Sequence, residues 1–279
     1  MDEPGASVAD EGAAPGPPAW LPGWPPAPGQ PGPAWPGAGE VHLWWLDLRR
    51  PAWPFETMWP WLDAQEQERA DRFLREPLRL RHVAAHGQMR ALLAACLGTT
   101  PAAVRLDTGA DGKPLLRPSA AAAPALRQGL AFNLAHSDDQ GLLAIASGAV
   151  PLGADIEMLR PMNDAEALAH RYFAAAESAA LRALPAAQRP AAFLAAWTRK
   201  EAYLKALGAG LRAGTASFEV TLRPQEPPRL LAIEGDVAAA AEWTLWSGQP
   251  TPASIAAVAV RARSATVVCH TLPSGTPPP

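Results

Sequence analysis

Hydrophobic and polar positions change period along this chain, and the changes mark its elements. Val41-His42-Leu43-Trp44-Trp45-Leu46-Asp47-Leu48 is a run of β-favouring residues and predicts the first strand of the folded part. Helical periodicity follows over Ala64–Leu74 and again over Leu80–Leu97, the second ending at Gly98 in a C-cap position. Asp111-Gly112 signals a turn, and Leu130–Leu134 a short strand. Gly141–Ser147 and Leu152–Met158 read as two strands joined by a turn around Gly148-Ala149-Val150-Pro151. A helical region covers Ala165–Leu184, and a second helix starts near Pro190, runs to Leu207 and stops at Gly208. Ser217–Leu222, Ala241–Trp246 and Ala253–Val260 close the domain as strands, with Arg263–His270 as a fourth. Helices and strands therefore recur in two rounds, about 40–150 and 151–270, with no internal sequence repeat to say that they are copies.

Residues 1–39 are a different material. They hold 11 of the 32 prolines and no basic residue, so a disordered Pro/Gly/Ala-rich tail is expected, with Trp20, Trp24 and Trp35 as its few docking groups. The stretch lacks the basic start and apolar run of a signal peptide. Residues 40–150 and 151–272 are expected to be two halves of one folded body, and residues 273–279 a loose tail.

Of the whole chain of 279 residues, 48% are hydrophobic, enough for a substantial core. The net charge of −3 argues against a general nucleic-acid binder. No apolar run approaches the roughly 18–20 residues of a membrane helix. Cys96 and Cys269 are far apart, with neither zinc spacing nor a disulfide framework, which suits a reducing cytosol. Only three lysines (Lys113, Lys200, Lys205) stand against 21 arginines. Such a ratio reflects codon bias, and it marks those three positions as ones that require a compact ammonium.

Four segments carry candidate chemistry. In Leu152-Gly153-Ala154-Asp155-Ile156-Glu157, strand alternation puts Asp155 and Glu157 on one face while Ala154, Ile156 and Met158 face the core. Two carboxylates about 7 Å apart are costly unless solvated or bridged by a cation, and Mg²⁺ suits them. An ordinary exposed strand edge would show the same spacing. In Trp197-Thr198-Arg199-Lys200-Glu201-Ala202-Tyr203-Leu204-Lys205, Glu201 and Lys205 share a helix face, as would a bland surface pair. Asp111-Gly112-Lys113-Pro114 exposes backbone and one ammonium without a Walker pattern. Phe132-Asn133-Leu134-Ala135-His136-Ser137 ends a strand with two phosphate donors, His136 and Ser137, and no Gly-x-Ser-x-Gly elbow.

Taken in chain order, from Asp111-Gly112-Lys113-Pro114 through the Phe132 and Leu152 segments to the Trp197 segment, the four resemble the 4′-phosphopantetheinyl transferases of the surfactin-synthetase-activating type, over roughly residues 41–270. Glu68-Arg69-Ala70-Asp71-Arg72-Phe73 and Arg79-Leu80-Arg81 are similar to that family's N-terminal half. Ala135 stands where the family usually has Ser or Thr, and Ala154 where it has Ile or Val.

The resemblance implies an α+β fold of two similar halves, a pseudo-dimer with the active site in the cleft between them. It implies transfer of 4′-phosphopantetheine from coenzyme A to a serine of an apo carrier protein. Asp155, Glu157 and Glu201 would hold Mg²⁺ (or Mn²⁺), with Glu177 a further acidic candidate. Glu201, or a water on the metal, would take the serine proton, and Lys205 would neutralise the transferring phosphate. Lys113 and Pro114 would border the adenine and its phosphates, while His136, Ser137, Arg81 and Arg72 would grip the 3′-phosphate. A monomeric cytoplasmic enzyme is expected. A Mg²⁺-dependent phosphohydrolase and a non-catalytic carrier-protein-binding module are the alternatives.

Overall fold

The computed structural model describes residues 21–22, 36–109, 112–117, 129–208 and 214–272. Most of the proline-rich head, Asp111 and residues 273–279 lie outside them. Within the head, Leu21–Pro22 forms β1, paired parallel to the last strand. Ordered contacts begin before residue 40: Pro36 is buried, and the Ser147 hydroxyl donates to the Gly37 carbonyl.

The chain builds four layers, helix on sheet on sheet on helix. The first sheet, in the order β1-β12-β2-β6-β5, contains β2 (Glu40–Asp47), β5 (Leu130–Ser137), β6 (Gln140–Ser147) and β12 (Thr266–Thr271). The second, β10-β11-β7, contains β7 (Leu152–Met158), β10 (Thr244–Gly248) and β11 (Ser254–Val260).

Alternation explains the stacking. Val41 and Leu43 of β2, and Leu142, Ala144 and Ala146 of β6, meet Leu152, Ala154 and Ile156 of β7 and Val258 of β11 in a core between the sheets. Trp44 and Leu46, with Leu143 and Ile145, face the opposite way onto a second core under helix α3 (Glu76–Leu97). Ile255, Ala257 and Ala259 of β11 face a third core under helix α6 (Arg189–Leu207). Strands buried on both faces read as continuous apolar runs, as β2 and β11 do. Both long helices end where glycine signals it, Gly98 and Gly208 adopting the left-handed conformation at φ 62° and 70°.

Between these elements lie α1 (Phe55–Met58), α2 (Ala64–Asp71), the hairpin β3 (Leu106–Thr108) and β4 (Pro114–Leu116), α4 (Ala165–Tyr172) and α5 (Ala175–Arg182). The hairpin β8 (Phe218–Val220) and β9 (Leu230–Ile233) and a short α7 (Val237–Ala240) complete the set. The order strand, two short helices, long helix, hairpin, two strands thus occurs first from β2 to β6 and again, with α7 added, from β7 to β11. In each round the first strand pairs antiparallel with the last.

Several expectations are corrected. The helical region 165–184 is broken, because Phe173 and Ala174 are extended and the Glu177 carboxylate caps the new start by accepting from the Ala174 N–H. The strands on either side of Gly148–Pro151 are not hairpin partners; they belong to different sheets. The expected strand 241–246 begins only at Thr244, after a turn of helix. The final strand joins β2 in the first sheet, so a boundary at 150/151 does not separate the two sheets. No helix among the described residues is long and apolar enough to cross a membrane.

Candidate active site

The residues of β7 that face away from the inter-sheet core are Gly153, Asp155 and Glu157, and helix α6 packs across this face. Gly153 sits where the helix comes nearest. A Cβ there would fall 2.1 Å from the Ala202 carbonyl oxygen and 2.3 Å from the Ala206 nitrogen, so only glycine admits this approach. The next residue on that face, Asp155, is brought against the last two turns of α6. Its Oδ1 accepts from Lys205 Nζ at 2.5 Å. Asp155 Oδ2 and Glu201 Oε1 are buried and have no hydrogen-bond partner among the described residues.

This arrangement is electrostatically tense. Burial pushes the Asp155 carboxyl up to about 7; Lys205 opposes the shift, and Glu157 and Glu201 add to it. Burial also raises Glu201, with Lys205 opposing and Glu157 reinforcing. Glu157, nearer the strand end, accepts from the Ser137 hydroxyl at 2.9 Å. Asp155, Glu157 and Glu201 therefore lie in one field; strand spacing pointed to the first two, and only the family resemblance to Glu201. Among the described residues, no three His, Cys, Asp or Glu side chains converge closely enough to hold a metal ion as they stand. The two orphaned carboxylate oxygens, on facing elements, nevertheless fit a hard cation that takes one or two carboxylates and completes its shell elsewhere.

Glu177 does not belong to this group. Its carboxylate is 2% exposed and pairs with Lys200 Nζ at 2.7 Å, while accepting from the backbone N–H groups of Ala174 and Val220. Both oxygens are engaged away from Asp155, which removes it as a metal ligand. Lys200 is itself fully buried and donates to the Thr215 and Phe218 carbonyls. Of the two α6 lysines, only Lys205 reaches the carboxylates.

A basic region adjoins the acidic one. His136 is the penultimate residue of β5, and its pKa is lowered first by partial burial and then by His86, Lys205, Arg69 and Arg81. These are all positive or protonatable groups, so an anion would be welcome there. Arg81 pairs with Asp139 at 2.6 Å and lies 3.7 Å from Asp138, the two residues of the β5–β6 turn. Asp138 adopts φ 49° in that turn. Arg72 is well exposed and pairs with Glu68 on α2, so the arginine of this segment that bears on His136 is Arg69. Sequence reasoning assigned neither Arg69 nor His86 to this site; helical spacing to Arg72 (three residues) and His82 (four residues) was the only available signal.

His86 is held by a buried network. Its Nδ1 lies 2.8 Å from Glu66 Oε1, and Arg90, 1% exposed, donates to Glu66, Asp63 and the Val104 carbonyl. Each of the three guanidinium nitrogens of Arg90 thereby has an acceptor, the condition under which a buried guanidinium is tolerated. Lys113 is placed differently from expectation. Its ammonium donates to the carbonyls of Leu152 at 2.7 Å and Lys205 at 2.9 Å rather than standing free on a turn. Pro114 begins β4, opposite Thr108.

An acidic pair with a bound ammonium beside a cationic region suits a substrate that carries several phosphates and needs one of them polarised. Comparison with known proteins narrows this chemistry. Residues 151–260 match the model of the 4′-phosphopantetheinyl transferase superfamily. The chain is 38% identical to 4′-phosphopantetheinyl transferase HetI of Nostoc sp. strain PCC 7120 over 221 residues, covering 79% of this chain and 87% of that protein. It is 28% identical to a 4′-phosphopantetheinyl transferase of Bacillus subtilis, over 66% of this chain and 77% of the relative. With psf-1 of Bacillus pumilus, a protein of the same name, identity is 35% over 42% of this chain and 45% of the relative. Matching relatives on this scale, over both rounds of elements, place this chain in the 4′-phosphopantetheinyl transferase family.

Proposed function

We propose that this protein transfers the 4′-phosphopantetheine arm of coenzyme A to a serine of an apo acyl or peptidyl carrier protein, releasing adenosine 3′,5′-bisphosphate. The observation that carries the reading is the Asp155–Lys205 pair beside the orphaned Glu201, bordered by the cationic surroundings of His136. The subtype is the surfactin-synthetase-activating one, in which two similar halves form a pseudo-dimer; the repeated element order of β2–β6 and β7–β11 supports this. We read it as a monomeric cytoplasmic enzyme; the two free cysteines, on separate elements, suit a reducing compartment.

The reaction joins a serine oxygen to the β-phosphorus of coenzyme A and breaks the bond from that phosphorus to the bridging oxygen. Asp155, Glu157 and Glu201 would hold Mg²⁺, with Mn²⁺ as a substitute, which supplies charge neutralisation to the pyrophosphate. Lys205, held by Asp155, presents an ammonium to the same phosphates. Glu201 accepts the serine proton at a carboxylate oxygen, a role favoured by the upward shift of its pKa. Arg81, His136 and Ser137, with Arg69 beside them and Arg72 further out, grip the 3′-phosphate. Pro114 and the adjoining hairpin backbone border the adenine.

Mass spectrometry of an apo carrier protein incubated with coenzyme A, Mg²⁺ and this protein tests the reading. Addition of a phosphopantetheine arm is expected. Free phosphopantetheine with an unmodified carrier would point to a phosphohydrolase, and binding without chemistry to a carrier-binding module. Asp155→Ala should abolish the transfer with the fold intact. Binding of coenzyme A and dephospho-coenzyme A to wild type and Arg81→Ala, by calorimetry, tests the 3′-phosphate site. Arg81→Ala should weaken only the phosphorylated ligand, by at least about tenfold. Equal weakening of both ligands would assign Arg81 solely to its Asp139 pair.

A further inference from the structure

The three lysines of this chain do three different things, and Lys113 is the one whose placement departs from a phosphate contact. Its ammonium binds two backbone carbonyls that belong to the opposing walls of the site. Leu152 opens β7, the strand of Asp155, and Lys205 lies in the last turn of α6. Helix and strand also approach closely at this point, since a Cβ on Gly153 would lie 2.9 Å from the Lys205 carbonyl carbon. The carbonyls of a last helical turn lack intrahelical partners and gather negative potential, so a cation there is favourably placed. Gly208 N also donates to the Lys205 carbonyl, at 3.3 Å. The main chain of Lys205 is thus fixed from both sides while its side chain reaches Asp155.

We infer that Lys113 is a positioning residue: its ammonium clamps the end of α6 to the start of β7 and so sets where Lys205 and Glu201 stand relative to Asp155. It acts through backbone, from the β3–β4 hairpin, and does not ligate phosphate. This deepens the transferase reading and rests on it for the kinetic part of its test. Lys113→Met removes the donors and keeps the stem. Turnover of a carrier protein should fall at least tenfold while KM for coenzyme A stays within about twofold, and the same fall should appear with dephospho-coenzyme A. A rise in KM for coenzyme A that vanishes with dephospho-coenzyme A would make Lys113 a phosphate ligand and overturn the inference. So would a lowered melting temperature with unchanged kcat.

Restoring the ammonium supplies a positive control. Lys113→Cys alkylated with 2-bromoethylamine should recover kcat to within about threefold, and failure to recover would count against the clamp. The native Cys96 and Cys269 thiols, both pushed up to about 12 by burial, should stay unmodified in the folded protein. If Lys113→Met does not fold, Lys113→Gln keeps one donor group and should show the same pattern in milder form. Amide hydrogen exchange gives a readout independent of any reaction. Exchange at residues 206–208 should accelerate at least tenfold in either variant. Unchanged exchange there would overturn the clamp even if the protein proved to be no transferase, whereas faster exchange without transfer activity would fault only the functional reading.

Discussion

Gly153 and Ala202 meet main chain to main chain: the position a Cβ would take on the glycine is 2.1 Å from the alanine's carbonyl oxygen. That contact decides how near α6 comes to β7, and with it the reach of Lys205 to Asp155. Gly153→Ala must push helix and strand apart, and neither atom in the way belongs to a flexible side chain. Such overpacking costs about 1–3 kcal/mol or more. Urea unfolding should show a loss of that size, and the folded fraction should lose most of its transfer rate because the Asp155–Lys205 pair is displaced.

Glu177 and Lys200 form a buried pair with every carboxylate oxygen in use, so their role is in the fold. Lys200→Met strands a buried carboxylate and should destabilise by about 3–5 kcal/mol. The double variant Lys200→Met/Glu177→Gln should recover part of that loss. In Glu177→Gln the dependence of transfer on Mg²⁺ concentration should match wild type, measured as the half-saturating metal concentration. A marked shift would return Glu177 to the proposed metal site.

Acid sensitivity should come in part from two histidines. Burial lowers both His82 and His270 to about 4, His86 and His42 respectively adding to the effect. Both are therefore neutral in the folded protein at pH 7, whereas the unfolded chain protonates them near 6.5. Their stabilisation is complete above about 6.5 and is lost as the pH falls toward 4. The slope approaches about 1.4 kcal/mol per pH unit for each group. His270 stacks on Trp44 with ring centroids 4.3 Å apart, and its Nε2 is buried without a partner among the described residues. His270→Phe keeps a ring there, so urea unfolding between pH 7.5 and 5 should show a flatter decline than wild type.

The head should matter to the fold only from Leu21 onward, where β1 pairs with β12. Glu40 Oε2 accepts from Gly37 N, and Thr266 N donates to the Gly39 carbonyl, so Gly37 and Gly39 are tied to the adjacent strands β2 and β12 of the first sheet. Deleting residues 1–20 should leave the melting temperature within about one degree of wild type. Deleting 1–39 removes several hydrogen bonds and a buried proline, and should cost on the order of 1–3 kcal/mol.

How much of this was readable in advance depends on whether a signal is local. Alternation along β7 correctly put Asp155 and Glu157 on one face. It did not reveal that a helix covers that face, because a strand's pattern says which residues share a side and not what lies opposite. The unexplained glycine two residues before Asp155 was the available clue. Glu201 and Lys205 share a face by helical spacing, but Lys200 looked equally promising until burial separated it from them. Glu177 resembled a site carboxylate, yet it occupies the third position of a helix's first turn, where a carboxylate commonly caps the backbone. The strand at Thr266–Thr271 was legible as a strand. Its partner was not, since pairing over more than 200 residues leaves no local trace.

The same pairing bears on how the molecule is made. Parallel to β2 and next to it lies β12, separated from it by nearly the whole length of the domain. A chain leaving the ribosome exposes β2, α3, β5 and β6 long before β12 exists. Until then β2 presents a bare, apolar edge, an invitation to pair with the wrong chain. Closing that edge brings together residues far apart in sequence, a slow step for topological reasons. Nascent copies should therefore be most prone to aggregate in the interval before the last strand emerges, and shortening the chain by those few residues should harm solubility more than their number suggests.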